Sequence, residues 1–221
     1  MNITTTLKAL RASLPDHVRL VAVSKTHPVE AIAEAYEAGQ RHFGESRPQE
    51  LKAKYEALPK DIAWHMIGHL QTNKIKYIAP FVALIESVDS LHLVEAIERE
   101  AAKVGRTIDI LLELHVAREE SKTGWELSQL REVIASGALQ GYPHLRIRGV
   151  MGIATNTEDE AVIRADFEAL RSAFEEFKPQ FGELFDTLSM GMSDDYPLAI
   201  AAGSTSVRVG SMIFGQRDYS K

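Results

Sequence analysis

The sequence predicts an α/β fold, a closed barrel of eight parallel strands wrapped by helices. Three observations carry that expectation. Eight short apolar runs alternate with helical patterns along the chain, and parallel neighbours need such crossover connections. Eight units in 221 residues fit a (β/α)8 barrel near its minimum length. The turn after the first run reads SKTHP at 24–28, without the glycine-rich fingerprint that an open doubly wound sheet would place there.

In order, an opening helix over 3–13 ends before Pro15. Residues 19–24, RLVAVS, are valine-rich and bounded by polar residues, the pattern of a buried strand. His27-Pro28 opens a helix through Tyr36, which Gly39 stops. The remaining strands are expected at 42–45, 63–68, 83–87, 108–116, 147–153, 187–191 and 206–214. Helices fill the intervals at 49–58, 71–78, 91–104, 127–136, 159–177 and 196–202. No linker, low-complexity tract or repeat interrupts the alternation, so one domain over 1–221 is expected.

Composition narrows the function classes. Lys plus Arg is 25 against 31 for Asp plus Glu, a formal charge of -6, which gives no general attraction to nucleic acid or anionic membranes. With no cysteine, disulfides, thiolate metal sites and cysteine nucleophiles are excluded. The N-terminus lacks a signal-peptide core, and no apolar stretch approaches membrane-spanning length. A soluble cytoplasmic protein is expected.

In such barrels the chemistry gathers at the C-terminal ends of the strands. Alternation places Val21, Val23 and Lys25 on one face of the first strand. If the valines face inward, the Lys25 amine rises into the mouth, where desolvation favours the neutral, imine-forming amine. The alternative is a surface lysine just past a strand. The seventh and eighth strand ends carry LSMGMSDD at 188–195 and GSTSVRVGSMIFG at 203–215. Small residues there let backbone amides cradle an anion, with Ser189, Gly210 and Ser211 as donors; alternatively the glycines mark turns and Ser193-Asp194 caps the next helix. Arg208, on the inward face of the last strand, needs a negative or lone-paired receiver, either a ligand or an internal ion pair with Glu45. His65 and His69 flank a strand end, so their spacing of four carries no metal-ligand logic. Glu119-Glu120 and Glu175-Glu176 are read as solvated surface, and SKTG at 121–124 as a loop without a Walker context.

These residues, with their neighbours, resemble a known family. AVSKT at 22–26, HFGES at 42–46, WHMIGHLQTNK at 64–74, SKTG at 121–124, SMGMSDD at 189–195 and GSTSVRVGSMIFGQRDY at 203–219 are similar, in order, to the pyridoxal 5′-phosphate homeostasis proteins. That family is related to the N-terminal barrel domain of alanine racemase. The resemblance implies a single TIM barrel of the racemase type (PLP fold type III) without the racemase's C-terminal β domain. It implies that Lys25 holds the cofactor as an internal aldimine, that Ser189, Gly210 and Ser211 bind its phosphate, that Arg208 lies beside the pyridine nitrogen, and that His65 stands near the cofactor. Ser46 stands where the family usually has asparagine, a shorter side chain toward the ring oxygen. GVMGIAT at 149–155 replaces the usual Gly-Leu-Met-Ala-Ile-Pro.

The function so implied is that of a carrier or buffer of pyridoxal phosphate, with transfer to client enzymes and no dedicated catalysis. The competing reading is a weak amino-acid racemase. Racemisation needs a base on each side of the cofactor plane, and the related enzymes take the second from the additional domain, which a chain ending at Lys221 is expected to lack. A Schiff-base aldolase is disfavoured because its lysine would stand on a later strand with acidic partners. A monomer is expected.

Overall fold

In the computed structural model, which describes residues 2–119 and 121–215, eight parallel strands close into a barrel in sequence order. The strands are β1 (Arg19–Val23), β2 (His42–Glu45), β3 (Ala63–Met66), β4 (Leu84–Val88), β5 (Ile108–Leu114), β6 (Leu145–Gly152), β7 (Thr187–Ser189) and β8 (Ser206–Val209). The helices are α1 (Ile3–Ser13), α2 (Val29–Glu37), α3 (Pro48–Ala57), α4 (Leu91–Lys103), α5 (Leu127–Ala135), α6 (Glu160–Phe181), α7 (Tyr196–Ala201) and α8 (Ser211–Phe214). A 3-10 helix, Thr72–Tyr77, follows β3. Closure comes from β1 pairing with β8, Val21 opposite Arg208.

The period-2 rule sorts each strand into two faces. Leu20, Ala22, Phe43, Trp64, Ile85, Ile110, Val150, Leu188 and Val207 join the large core between barrel and helices. Inside the barrel, Leu84, Leu111 and Met151 form a separate small cluster with Ile153 against it. Helices contribute apolar stripes at 3.6 spacing. On α6, Ile163, Phe167, Leu170, Phe174 and Phe177 are buried, each contributing about 1.5–3 kcal/mol over exposure. Asp159 caps this helix through Ala161 N–H. Among the described residues no helix is long and apolar enough to cross a membrane.

Three expected elements differ in type or by more than two residues at an end, the others by two or fewer. The apolar run at 206–214 divides: β8 stops at Val209 and 211–214 is helical, because at Gly210 the backbone passes β1 so closely that a Cβ would meet Val23 O at 3.0 Å. The segment at 71–78 is 3-10 rather than α, a short piece that buries Ile75. Helix α6 runs on through Pro179 to Phe181 and ends at Gly182, φ 78°, although the proline removes the N–H that would bond the Glu175 carbonyl. Glu120 and the tail of the C-terminal block, 216–219, lie outside the described residues.

Candidate functional site

Lys25 sits one residue beyond Ser24, where β1 leaves the barrel in a turn closed by His27 N–H donating to Ser24 O at 3.1 Å. Thr26 has φ 68°, the left-handed value that a type II turn requires at its third position and that usually falls to glycine. A β-branched residue there stores about 1–3 kcal/mol of strain. Its N–H donates to Glu50 Oε1 at 2.7 Å. Buried Lys54 fixes the same turn, donating to Ser24 O at 2.8 Å, Glu45 Oε1 at 2.8 Å and Glu50 Oε1 at 2.7 Å. The turn that presents Lys25 is therefore held from behind by α3.

Glu45 belongs to this outer cluster. It is fully buried and accepts from Ser24 Oγ at 2.6 Å. Burial raises its carboxyl to about 6, against the pull of Lys54. The ion pair of Arg208 with Glu45 does not form, because alternation on β2 turns Gly44 inward and Glu45 outward.

Half-buried Lys25 lines a cleft of about 200 Å³ at the C-terminal mouth together with Val23, Ile67, Ile153, Ser193, Arg208, Gly210 and Ser211. Lys25, Arg208, Gly210 and Ser211 thus come together as the sequence suggested. Ser189 does not reach this cleft. Its fully buried hydroxyl donates to Glu86 Oε2 at 2.5 Å and accepts from Arg208 Nη1 at 2.6 Å. Ser193 holds the rim position instead, accepting from Gly210 N–H at 3.3 Å; neither it nor Asp194 caps α7, whose N-cap is Asp195. Ser46 lies outside the cleft lining, against Gly68, where a Cβ would collide with it.

Below the mouth a polar chain crosses the interior. His65 Nδ1 meets Glu86 Oε1 at 2.6 Å, and His65 Nε2 meets His42 Nδ1 at 3.1 Å. Arg208 Nη2 donates to Gly152 O at 2.9 Å. Burial pushes Glu86 up, but the His65 hydrogen bond, the nearby Arg208 charge and Ser189 outweigh it, and its carboxyl stays below the usual range. His65 is therefore sealed in this chain, whereas His69 is exposed beside Asp89 at 3.3 Å. The two histidines serve different partners.

The sequence does not single out Glu86 or His42, and it offers Ser193 only as a helix cap. Glu86 was findable, since a carboxylate two residues after Leu84 in an apolar strand shares its inward face. At the end of β5, burial raises Glu113 to about 7, with Thr123 Oγ1 at 3.2 Å. The SKTG loop folds over it, Lys122 Nζ donating to Ala154 O at 2.7 Å.

The family model described as "Alanine racemase, N-terminal domain" matches residues 1–218. The chain is 40% identical over 202 residues to the pyridoxal phosphate homeostasis protein of Aquifex aeolicus, covering 91% of this chain and 88% of that one. To the protein of that name from Escherichia coli it is 41% identical over 214 residues, covering 94% and 89%. Solved structures of PipY from Synechococcus elongatus, 41% identical, superpose with TM-scores of 0.90 without PLP and 0.87 with PLP bound, each covering 96% of this chain and 100% of that one. Alanine racemase from Streptomyces lavendulae shares the fold at 19% identity, with a TM-score of 0.81 over 97% of this chain and 56% of its own. The chain belongs to the pyridoxal phosphate homeostasis proteins, on the barrel fold of the alanine racemase N-terminal domain.

Proposed function

We propose that this protein binds pyridoxal 5′-phosphate at Lys25 and serves its homeostasis as a cytoplasmic, monomeric carrier that passes it to client enzymes, without dedicated catalysis. The observation that carries this reading is the convergence of a half-buried lysine and a small-residue rim, Ser193, Gly210 and Ser211, on one cleft of about 200 Å³. The residues fit the group. The Gly210 N–H, which donates to Ser193 Oγ at 3.3 Å, and the Ser193 and Ser211 hydroxyls stand at the cleft to meet a phosphate.

When bound, pyridoxal phosphate supplies an aldehyde that condenses with a primary amine and a ring that withdraws electrons from the adduct. Lys25 offers the amine, held in position by the strained Thr26 turn and the Lys54 cluster. Arg208 remains charged and only donates, so it favours a lone pair facing it and holds no proton on an acceptor. Its engagement with Ser189 and Gly152 O fixes the guanidinium plane. That arrangement favours holding the group over using it as a strong electron sink. Among the described residues lining the cleft there is no tyrosine, so a second base opposite Lys25, which racemisation needs, is not provided by that residue type. Beside the mouth a groove of about 560 Å³, sharing Ile153, Met192 and Asp194 with it, gives an accepting amine a route in.

The test is borohydride reduction after addition of pyridoxal phosphate, with peptide mass analysis. Wild type should carry the added mass at Lys25; Lys25→Ala should lose it while equilibrium dialysis still shows weaker binding through the rim. Undiminished covalent labelling of Lys25→Ala overturns the assignment.

A further inference from the structure

The end of the barrel opposite the mouth gathers several arginines beside aspartates. Arg19, His42, His65, Asp109, Arg148 and Thr187 line a cavity of about 140 Å³ there. Arg19 and His42 also border an adjoining cleft of about 300 Å³ with Arg11 and Arg41. Most of these charges are matched. Arg148 pairs with Asp109 at 2.8 Å and Asp186 at 2.6 Å, Arg146 with Asp109 at 2.6 Å, and Arg41 with Asp61 at 3.1 Å. Among the described residues, Arg11 bonds only neutral acceptors, Ala38 O and Gln40 Oε1. The Arg19 side chain has neither a hydrogen bond nor an ion pair among the described residues. Ser206, paired with Arg19 on β8, buries its hydroxyl without a partner. Half-buried Arg19 thus offers the cavity a guanidinium that no described protein group engages, while Ser206 lies outside the cavity lining.

We propose that this N-terminal end of the barrel is a second binding site, for a small oxyanion, and that the buried chain from His42 to Arg208 couples its occupancy to the mouth. The oxyanion site stands on its own; the coupling rests on the reading of the mouth as the cofactor site.

The coupling follows from proton positions. An ionised Glu86 accepts from His65 Nδ1–H, which leaves His65 Nε2 as acceptor for His42 Nδ1–H. Burial, then the neighbouring His65 and Arg19, hold His42 down at about 4, so it is neutral without an anion. An oxyanion against Arg19 and Arg148 offsets that positive field and favours the protonated ring. A protonated His42 donates more strongly to His65, and His65 to Glu86. Glu86 then draws less on the Ser189 hydroxyl and on Arg208, 3.8 Å away. By linkage, a group that alters Arg208 at the mouth alters oxyanion affinity by the same factor.

The experiment titrates inorganic phosphate, with acetate in parallel, into the full chain with and without added pyridoxal phosphate. The imidazole nitrogen signals of His42 and His65 are followed by NMR. The expected result is a saturable shift of His42 toward imidazolium, with a smaller His65 shift, at a Kd on the order of 1 mM without pyridoxal phosphate and at a measurably different Kd with it. Arg19→Gln should weaken it by about tenfold or more, and Arg19→Lys, which keeps the charge, should restore it. His42 signals that stay still, or that move alike in wild type and Arg19→Gln, overturn the site. His42 moving while His65 stays fixed overturns the coupling. If pyridoxal phosphate leaves no mass at Lys25, the reading of the mouth fails, while the His42 titration still decides the oxyanion site.

Discussion

Arg208 and Glu86 face each other inside the barrel, Nη1 to Oε2 at 3.8 Å, both sealed from solvent and both bonded to the Ser189 hydroxyl. Neither charge has water to fall back on, so each depends on the other. Removing one member of such a buried pair costs about 3–5 kcal/mol. Glu86→Gln keeps the shape and removes the carboxylate that pairs with Arg208, and urea unfolding at neutral pH should show a loss of that size. The Glu86 carboxyl lies below its ordinary range, so its contribution is present above the unfolded value and is lost as pH falls through the folded value. The difference between wild type and variant should therefore persist at neutral pH and shrink only in strong acid. A loss below about 1 kcal/mol would place the pair among dispensable contacts.

Glu113 behaves oppositely. Burial, with Asp89 adding, raises it from 4.5 to about 7 in spite of Thr123 and Arg208. The folded chain keeps this proton at pH values where the unfolded chain has released it. Its contribution is therefore full below the unfolded value and is lost as pH rises through about 7. Relative to Glu113→Gln, wild-type stability should decline across that window by up to about 3 kcal/mol. Parallel stability–pH curves for the two proteins would contradict this.

Gly149 opens the pairing of β6 with β7, opposite Thr187. Its φ is 154°, and a Cβ would overlap the Thr187 carbonyl oxygen. Gly149→Ala should destabilise by more than about 3 kcal/mol. Gly105→Ala is the control: φ is 62° but nothing lies within 4 Å of a new Cβ, so backbone strain alone should cost about 1–2 kcal/mol. Equal losses in urea unfolding would remove the steric argument.

Arg208 also sets an expectation for turnover. Incubated with L-alanine in deuterated water, the cofactor-loaded protein should exchange α-protons far more slowly than about 1 per second, because a guanidinium holds no proton on the ring nitrogen. The expectation rests on the proposed placement of Arg208 beside the pyridine nitrogen; mass spectrometry of the amino acid and chiral analysis for D-alanine make the measurement. Turnover at that ordinary enzyme rate would restore the racemase reading.

The barrel was legible in the sequence because its cause is local. Apolar runs such as RLVAVS at 19–24 and ALIES at 83–87 alternate with helical stripes, and parallel pairing follows from the crossovers between them. Lys25 was legible for the same reason: period-2 geometry carries the inward face of Val21 and Val23 to the residue at the mouth. The run at 206–214 gave no sign of its break at Gly210, since what bends it there is the backbone of β1, nearly two hundred residues earlier in the chain. Ser189 shows the limit most clearly. Its inward face follows from the strand, but its depth in the barrel and its engagement by Glu86, 103 positions away, depend on how eight strands stagger on closure. Ser193, one loop farther on, occupies the rim instead. Partners across a closed barrel are set by register and shear rather than by sequence neighbours, so only the tertiary structure could choose between two serines four residues apart.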